Sequence, residues 1–107
     1  MSLTEKHCTP KARKLASTEI DALVAQVPGY TVDGVHARIS KQYEFADFYE
    51  TIAFVNALAY IANLEDHHPD LAVSYNKCRV SFSTHDAGGL TDNDFICAAK
   101  VNALILG

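Results

Sequence analysis

The sequence predicts an α+β domain, a four-stranded antiparallel sheet with three helices on one face, in the order α-β-β-α-β-β-α. Apolar residues recur at threes and fours in three separate stretches, which is the helical period, and alternate with polar residues in the stretches between. Pro-Gly, Asp-Gly, Asn-Lys and Gly-Gly pairs fall where one pattern gives way to the other. A chain of 107 residues that is 49% hydrophobic fits one core, so residues 1–107 read as a single domain without repeat or linker.

The first helix is expected over residues 9–27, with Pro10 in its first turn and Leu15, Ile20, Leu23, Val24 and Val27 on one stripe, stopped by Pro28-Gly29. A short strand over 30–32 follows. Asp33-Gly34 reads as a hairpin dipeptide whose glycine takes positive φ, returning a strand over 35–45. There Val35, Ala37, Ile39, Tyr43 and Phe45 alternate with His36, Arg38, Ser40, Gln42 and Glu44, which predicts one buried and one wet face. Asp47 is the candidate N-cap of the longest helix, 48–65, with Phe48, Ile52, Val55, Leu58, Ala59, Ile61 and Ala62 inward. Pro69 lacks an amide hydrogen and drives His68 out of the helical region, so the helix ends near Asp66. Leu71, Val73 and Tyr75 mark a third strand, with Tyr75 expected in the core. Cys78, Val80, Phe82 and Thr84 mark a fourth that ends at His85. After the turn at Gly88-Gly89, Thr91 and Asp94 form a capping box that opens a final helix running to residue 106, apolar on more than one side.

Nine Lys and Arg against 13 Asp and Glu, a formal charge of −4 at pH 7, argue against binding nucleic acid or an anionic membrane. The local basic cluster of Lys6, Lys11, Arg13 and Lys14 reads as a solvated first helical turn. Cys8, Cys78 and Cys97 are odd in number and widely spaced, unlike a disulfide scaffold or zinc ribbon, which favours a reducing compartment. No apolar run approaches the ~20 residues that span a bilayer, and the polar start lacks a signal core, so a soluble cytoplasmic protein is expected.

The chemistry concentrates in three histidines. His67 and His68 sit where a helix becomes a strand, and His85 sits at a strand tip before a glycine turn. Imidazole both accepts and donates protons near neutrality, which suits paired general acid–base catalysis. Alone, either His67 or His68 reads as an exposed helix terminator facing the negative end of the helix dipole. Three imidazoles also suit zinc with one open position. Adjacent ligands fit one ion poorly, however, and no H-E-x-x-H or cysteine pair assists, so no metal is expected.

The run Asp66-His67-His68-Pro69, then Tyr75-Asn76, Ser83-Thr84-His85, Gly89-Leu90-Thr91 and Asp94 resembles the signature of the pterin-4a-carbinolamine dehydratases. The likeness is close over the second half of the chain and holds only in element order over the first. One departure is Asn63, four positions before His67, where that family usually carries an acid; acidic assistance would then have to come from Asp66 or Glu65.

The resemblance implies dehydration of a 4a-hydroxytetrahydropterin to the quinonoid dihydropterin and water, recycling the pterin of aromatic amino acid hydroxylases without a cofactor. It implies His67, His68 and His85 as catalytic residues, with the acid and base not assigned among them. Asp66, His67, His68, Ser83, Thr84, His85 and Asp86 are the implied substrate-binding set. It further implies a homodimer or homotetramer and, in some members, a nuclear location and dimerisation of a homeodomain transcription factor. Asp94 itself reads as a helix cap.

Overall fold

Three helices and four strands follow one another in the expected order in the computed structural model, which describes residues 2–35 and 37–106. They are α1 (Ser17–Val24), β1 (Thr31–Asp33), β2 (Arg38–Glu44), α2 (Phe48–Glu65), β3 (Asp70–Val73), β4 (Lys77–Phe82) and α3 (Asp92–Leu106). Single 3₁₀ turns occupy Leu3–Glu5 and His85–Ala87. The sheet order is β1-β2-β4-β3, and every pair is antiparallel. The two longest strands are therefore central.

Alternation along those strands sorts the faces. Ile39 and Tyr43 of β2 and Cys78, Val80 and Phe82 of β4 turn inward and are buried with Phe54 and Leu58 of α2 and Phe95, Ala98 and Val101 of α3. On the outer face the Ser40 and Ser81 hydroxyls pair at 2.8 Å, which lets a polar position there be buried. Within the core, Tyr43 donates to Asn102 Oδ1 at 2.7 Å and meets the Tyr30 hydroxyl at 2.9 Å. Burial pushes both phenols up, that of Tyr43 to about 12.

The long helix has the expected bounds because its ends are chemically fixed. Asp47 Oδ1 accepts the Glu50 amide at 2.9 Å, and Asp66 closes the helix in the left-handed region at φ 52°. Its inward stripe differs from expectation. Thr51, Phe54, Leu58 and Ala62 are buried, whereas Phe48 and Ala59 are exposed.

The first helix starts eight residues later than its pattern suggests, at Ser17 instead of position 9. Glu19 caps the Ala16 amide at 2.9 Å, and residues 9–16 run as an irregular arm across α3. The arm's polar groups have tertiary partners: Thr9 and Asn93 exchange two hydrogen bonds at 3.1 and 2.8 Å, and the Leu15 amide donates to the Leu90 carbonyl at 2.8 Å. Lys11, Arg13 and Lys14 thus belong to an arm, not a helical turn.

The first hairpin also departs from a two-residue turn. Asp33 pairs with Arg38, so four residues form the loop; Ala37 carries the positive φ of 52°, Gly34 does not, and Val35 is exposed. The polar-face position expected for His36 lies outside the described residues. Tyr75 is 64% exposed in the β3–β4 turn, because β3 ends at Val73 and the Ser74 amide bonds the Lys77 carbonyl at 2.9 Å.

Candidate active site

β3 and β4 pair antiparallel with Asp70 opposite Ser81, so the segment before β3 and the segment after β4 emerge at one end of the sheet. The chain reaches the first of these by a reversal at Asp66. Its left-handed conformation, tolerated better by Asp than by most residues, lets the His67 amide return to the Ala62 carbonyl at 3.1 Å. Pro69 then fixes the extended entry into β3.

His67 is the best-anchored of the three histidines. Its ring stacks on Phe82 with centroids 6.0 Å apart and planes 10° from parallel. Its Nε2 lies 2.7 Å from Asp94 Oδ1, and the two side chains are 11% and 0% exposed. A carboxylate only accepts, so Nε2 carries a hydrogen, and in the neutral ring it is Nδ1 that presents the lone pair. The other oxygen, Oδ2, accepts the Thr84 hydroxyl at 2.9 Å and the Thr91 amide at 3.0 Å. Thr84 in turn meets the Thr91 hydroxyl at 2.9 Å. One buried carboxylate therefore caps α3, orients His67 and fixes the residue preceding His85. The capping role was readable from Thr91 and Asp94; the link to His67, 27 positions upstream, was not.

His68 points elsewhere, donating from Nε2 to Asn63 Oδ1 at 3.0 Å, and it is exposed. Asn63 thus meets His68 and not His67, and the acid that meets His67 is Asp94, not Asp66 or Glu65 as expected. His85 is exposed on the 3₁₀ turn, its Nε2 3.4 Å from Ser83 Oγ.

A cleft of about 540 Å³ opens beside His67, lined by Asp66, His67, Thr84, Asp86, Ala87 and Asn93 and, from the arm, by Thr9, Pro10, Lys11 and Ala12. Of the expected site residues, Asp66, His67, Thr84 and Asp86 line it; His68, Ser83 and His85 do not, although His85 lies on the chain between two that do. The arm wall is the part the sequence pattern missed, since residues 9–12 read there as helix. Lys11 sits in this wall at φ 59°, a conformation that costs a non-glycine residue about 1 kcal/mol or more.

Behind the cleft Glu65 holds the base of the arm. Its carboxylate accepts the Cys8 amide at 2.7 Å and the His7 ring at 2.9 Å, with Lys100 at 3.6 Å. Burial alone would push this carboxyl up, but those three donors outweigh it and the net displacement is downward. Among the described residues, no three His, Cys, Asp or Glu side chains are grouped to hold a metal ion, and no helix is long and apolar enough to cross a membrane.

Residues 13–104 match the family model described as pterin 4 alpha carbinolamine dehydratase. The chain belongs to that family. It is thus a dehydratase, a hydro-lyase. A dehydratase relative in Chromobacterium violaceum, provisionally named a pterin-4-alpha-carbinolamine dehydratase, is 55% identical over 106 residues, covering 97% of this chain and 96% of its own. A protein of Xanthomonas campestris pv. campestris under the same provisional name is 50% identical over 105 residues, covering 95% and 89%. The crystal structure of a transcriptional coactivator/pterin dehydratase from Brucella melitensis superposes with a TM-score of 0.82 at 28% identity, covering 86% of this chain and 98% of that one. Residues 9–12 precede the segment that the dehydratase family model matches.

Proposed function

We propose that the chain dehydrates a 4a-hydroxytetrahydropterin in the cleft beside His67, with His67 and His85 as the acid–base pair. His67 Nδ1 takes the N5 proton, the N5–H electrons form the C4a=N5 bond, and the C4a hydroxyl leaves as water with a proton from His85. Each proton transfer contributes about 10²–10⁴-fold. His68, which bonds Asn63 outside the cleft, must release that contact to orient the ring. Asp66, Asp86 and Thr84 in the cleft wall hold the amino-pyrimidinone edge. The product, a quinonoid dihydropterin, is ready for reduction, which fits recycling of the pterin used by aromatic amino acid hydroxylases.

The observation that carries this reading is the His67–Asp94 pair at 2.7 Å on a fully buried carboxylate, at the wall of an open cleft. Such a partner fixes one tautomer and stabilises the imidazolium formed when the ring takes a proton. The test is stopped-flow absorbance of carbinolamine dehydration by the wild type and His85→Ala. The wild type is expected to accelerate dehydration and the variant to lose about 10²-fold. A variant as fast as the wild type removes His85 from the mechanism.

The proposal extends to assembly as a homodimer or homotetramer. Leu71 and Val73 on the edge strand β3, and Leu104 and Ile105 on α3, are exposed apolar groups that a second copy would cover. Sedimentation at micromolar concentration reads this directly, and a monomer contradicts it.

A further inference from the structure

Cys8 on the arm and Cys97 on α3 lie 89 positions apart in sequence, yet their sulfurs are 3.5 Å apart. Both are free thiols, Cys8 half-buried and Cys97 buried. The Cys8 amide bonds Glu65 at 2.7 Å and Thr9 exchanges two hydrogen bonds with Asn93, which keeps this part of the arm beside α3. The pair also sits directly behind the cleft: Cys97 Sγ is 4.0 Å from the His67 carbonyl oxygen, and Thr9, next to Cys8, lines the cavity.

We propose that Cys8 and Cys97 are a reversible disulfide site whose oxidation clasps the N-terminal arm to α3 and thereby reshapes the wall of the dehydratase cleft. The oxidant is a low-molecular-weight disulfide such as oxidised glutathione. The Cys8 thiolate attacks one of its sulfurs and releases one glutathione thiolate. Cys97 then loses its proton and attacks the Cys8 sulfur of the mixed disulfide, forming the Cys8–Cys97 bond and expelling the second glutathione. Two protein thiols are oxidised by two electrons while one small disulfide is reduced to two thiols.

The order follows from the environments. Cys8 is half-buried and Cys97 buried, so Cys8 meets the oxidant first and Cys97 resolves the mixed disulfide. Bonding requires the sulfurs to close from 3.5 Å to about 2.05 Å. The arm takes up most of this shift, because Cys97 is held within a packed helix.

Misplacing reacting groups by about 1 Å can cost ~10²-fold, but the arm forms a wall and carries none of the histidines. A smaller effect is therefore expected, about three- to tenfold on KM, with little change in kcat.

The experiment equilibrates the full chain with graded ratios of oxidised to reduced glutathione, blocks residual thiols, maps peptides and measures dehydration on the same samples. The expected result is a Cys8–Cys97 cross-linked peptide, Cys78 left as a free thiol, a raised KM restored by dithiothreitol, and a Cys8→Ser variant that neither links nor responds. Thiols that all remain free, or a glutathione adduct that persists on Cys8, overturn the disulfide. A fully linked protein with the reduced protein's KM overturns its effect on the cleft. That second half rests on the cleft being the dehydration site. If the link forms but neither redox state dehydrates the pterin, the functional reading fails while the disulfide stands.

Discussion

Replacing Asp94 with Asn removes one charge and leaves the side-chain shape in place. The native carboxylate accepts three hydrogen bonds, from His67 Nε2 at 2.7 Å, the Thr84 hydroxyl at 2.9 Å and the Thr91 amide at 3.0 Å. An amide has one oxygen for these three donors. Turning its NH₂ towards the Thr91 amide sets donor against donor in a fully buried site, which costs about 1–3 kcal/mol. The oxygen therefore stays on Thr84 and Thr91, and the NH₂ faces His67. His67 must then accept at Nε2 and carry its hydrogen on Nδ1, which loses the lone pair assigned to the N5 proton. The expected loss in kcat is about 10²-fold or more. Exchanging charge-assisted bonds for neutral ones costs about 2 kcal/mol, which lowers the melting temperature of a domain this size by ~10 °C. Stopped-flow dehydration reads the first effect and circular dichroism melting the second. A folded variant dehydrating within a factor of about two of the wild type refutes the reasoning.

Three further outcomes follow from neighbouring contacts. His68→Ala should raise KM for the carbinolamine several-fold with kcat largely kept, as expected of an orienting group; steady-state kinetics separates the two. Phe82→Ala removes both a core side chain that is 1% exposed and the surface under the His67 ring, and should cost about 3–5 kcal/mol in urea unfolding. Because the Glu65 carboxyl is displaced downward in the folded chain, its stabilisation is present above the ordinary glutamate value near ~4.3 and is lost as pH falls through the lower folded value. In urea titrations the wild type should therefore lose more stability than Glu65→Gln between pH 7 and acid; equal losses would remove Glu65 as an anchor of the arm.

The elements that were legible in the sequence are those whose ends are fixed by local chemistry. Asp47 bonding the Glu50 amide, Pro69 stopping α2 and the Thr91–Asp94 box act within a few residues of themselves, and each stands where expected. Misplaced features depend on distant partners. Residues 9–16 were expected as the first turns of the helix, but their backbone is claimed by Asn93 and Leu90, more than 70 positions away. Tyr75 continues the β3 alternation, yet β3 ends at Val73, so the ring projects into solvent. Of the residues that the resemblance implied for the site, Asp66, His67, Thr84 and Asp86 line one cleft, whereas His68, Ser83 and His85 do not. The arm wall and the Cys8–Cys97 contact leave no local signature, because both arise from the arm packing on α3.

A crystal structure of the chain soaked with a dihydropterin tests most directly where the pterin binds. The bicyclic ring is expected in the cleft beside His67, its C4a–N5 edge between His67 and His85 and its amino-pyrimidinone edge at Asp66 and Thr84. A pterin bound elsewhere, such as in the groove between Phe48 and Ile52 on α2, would contradict this placement.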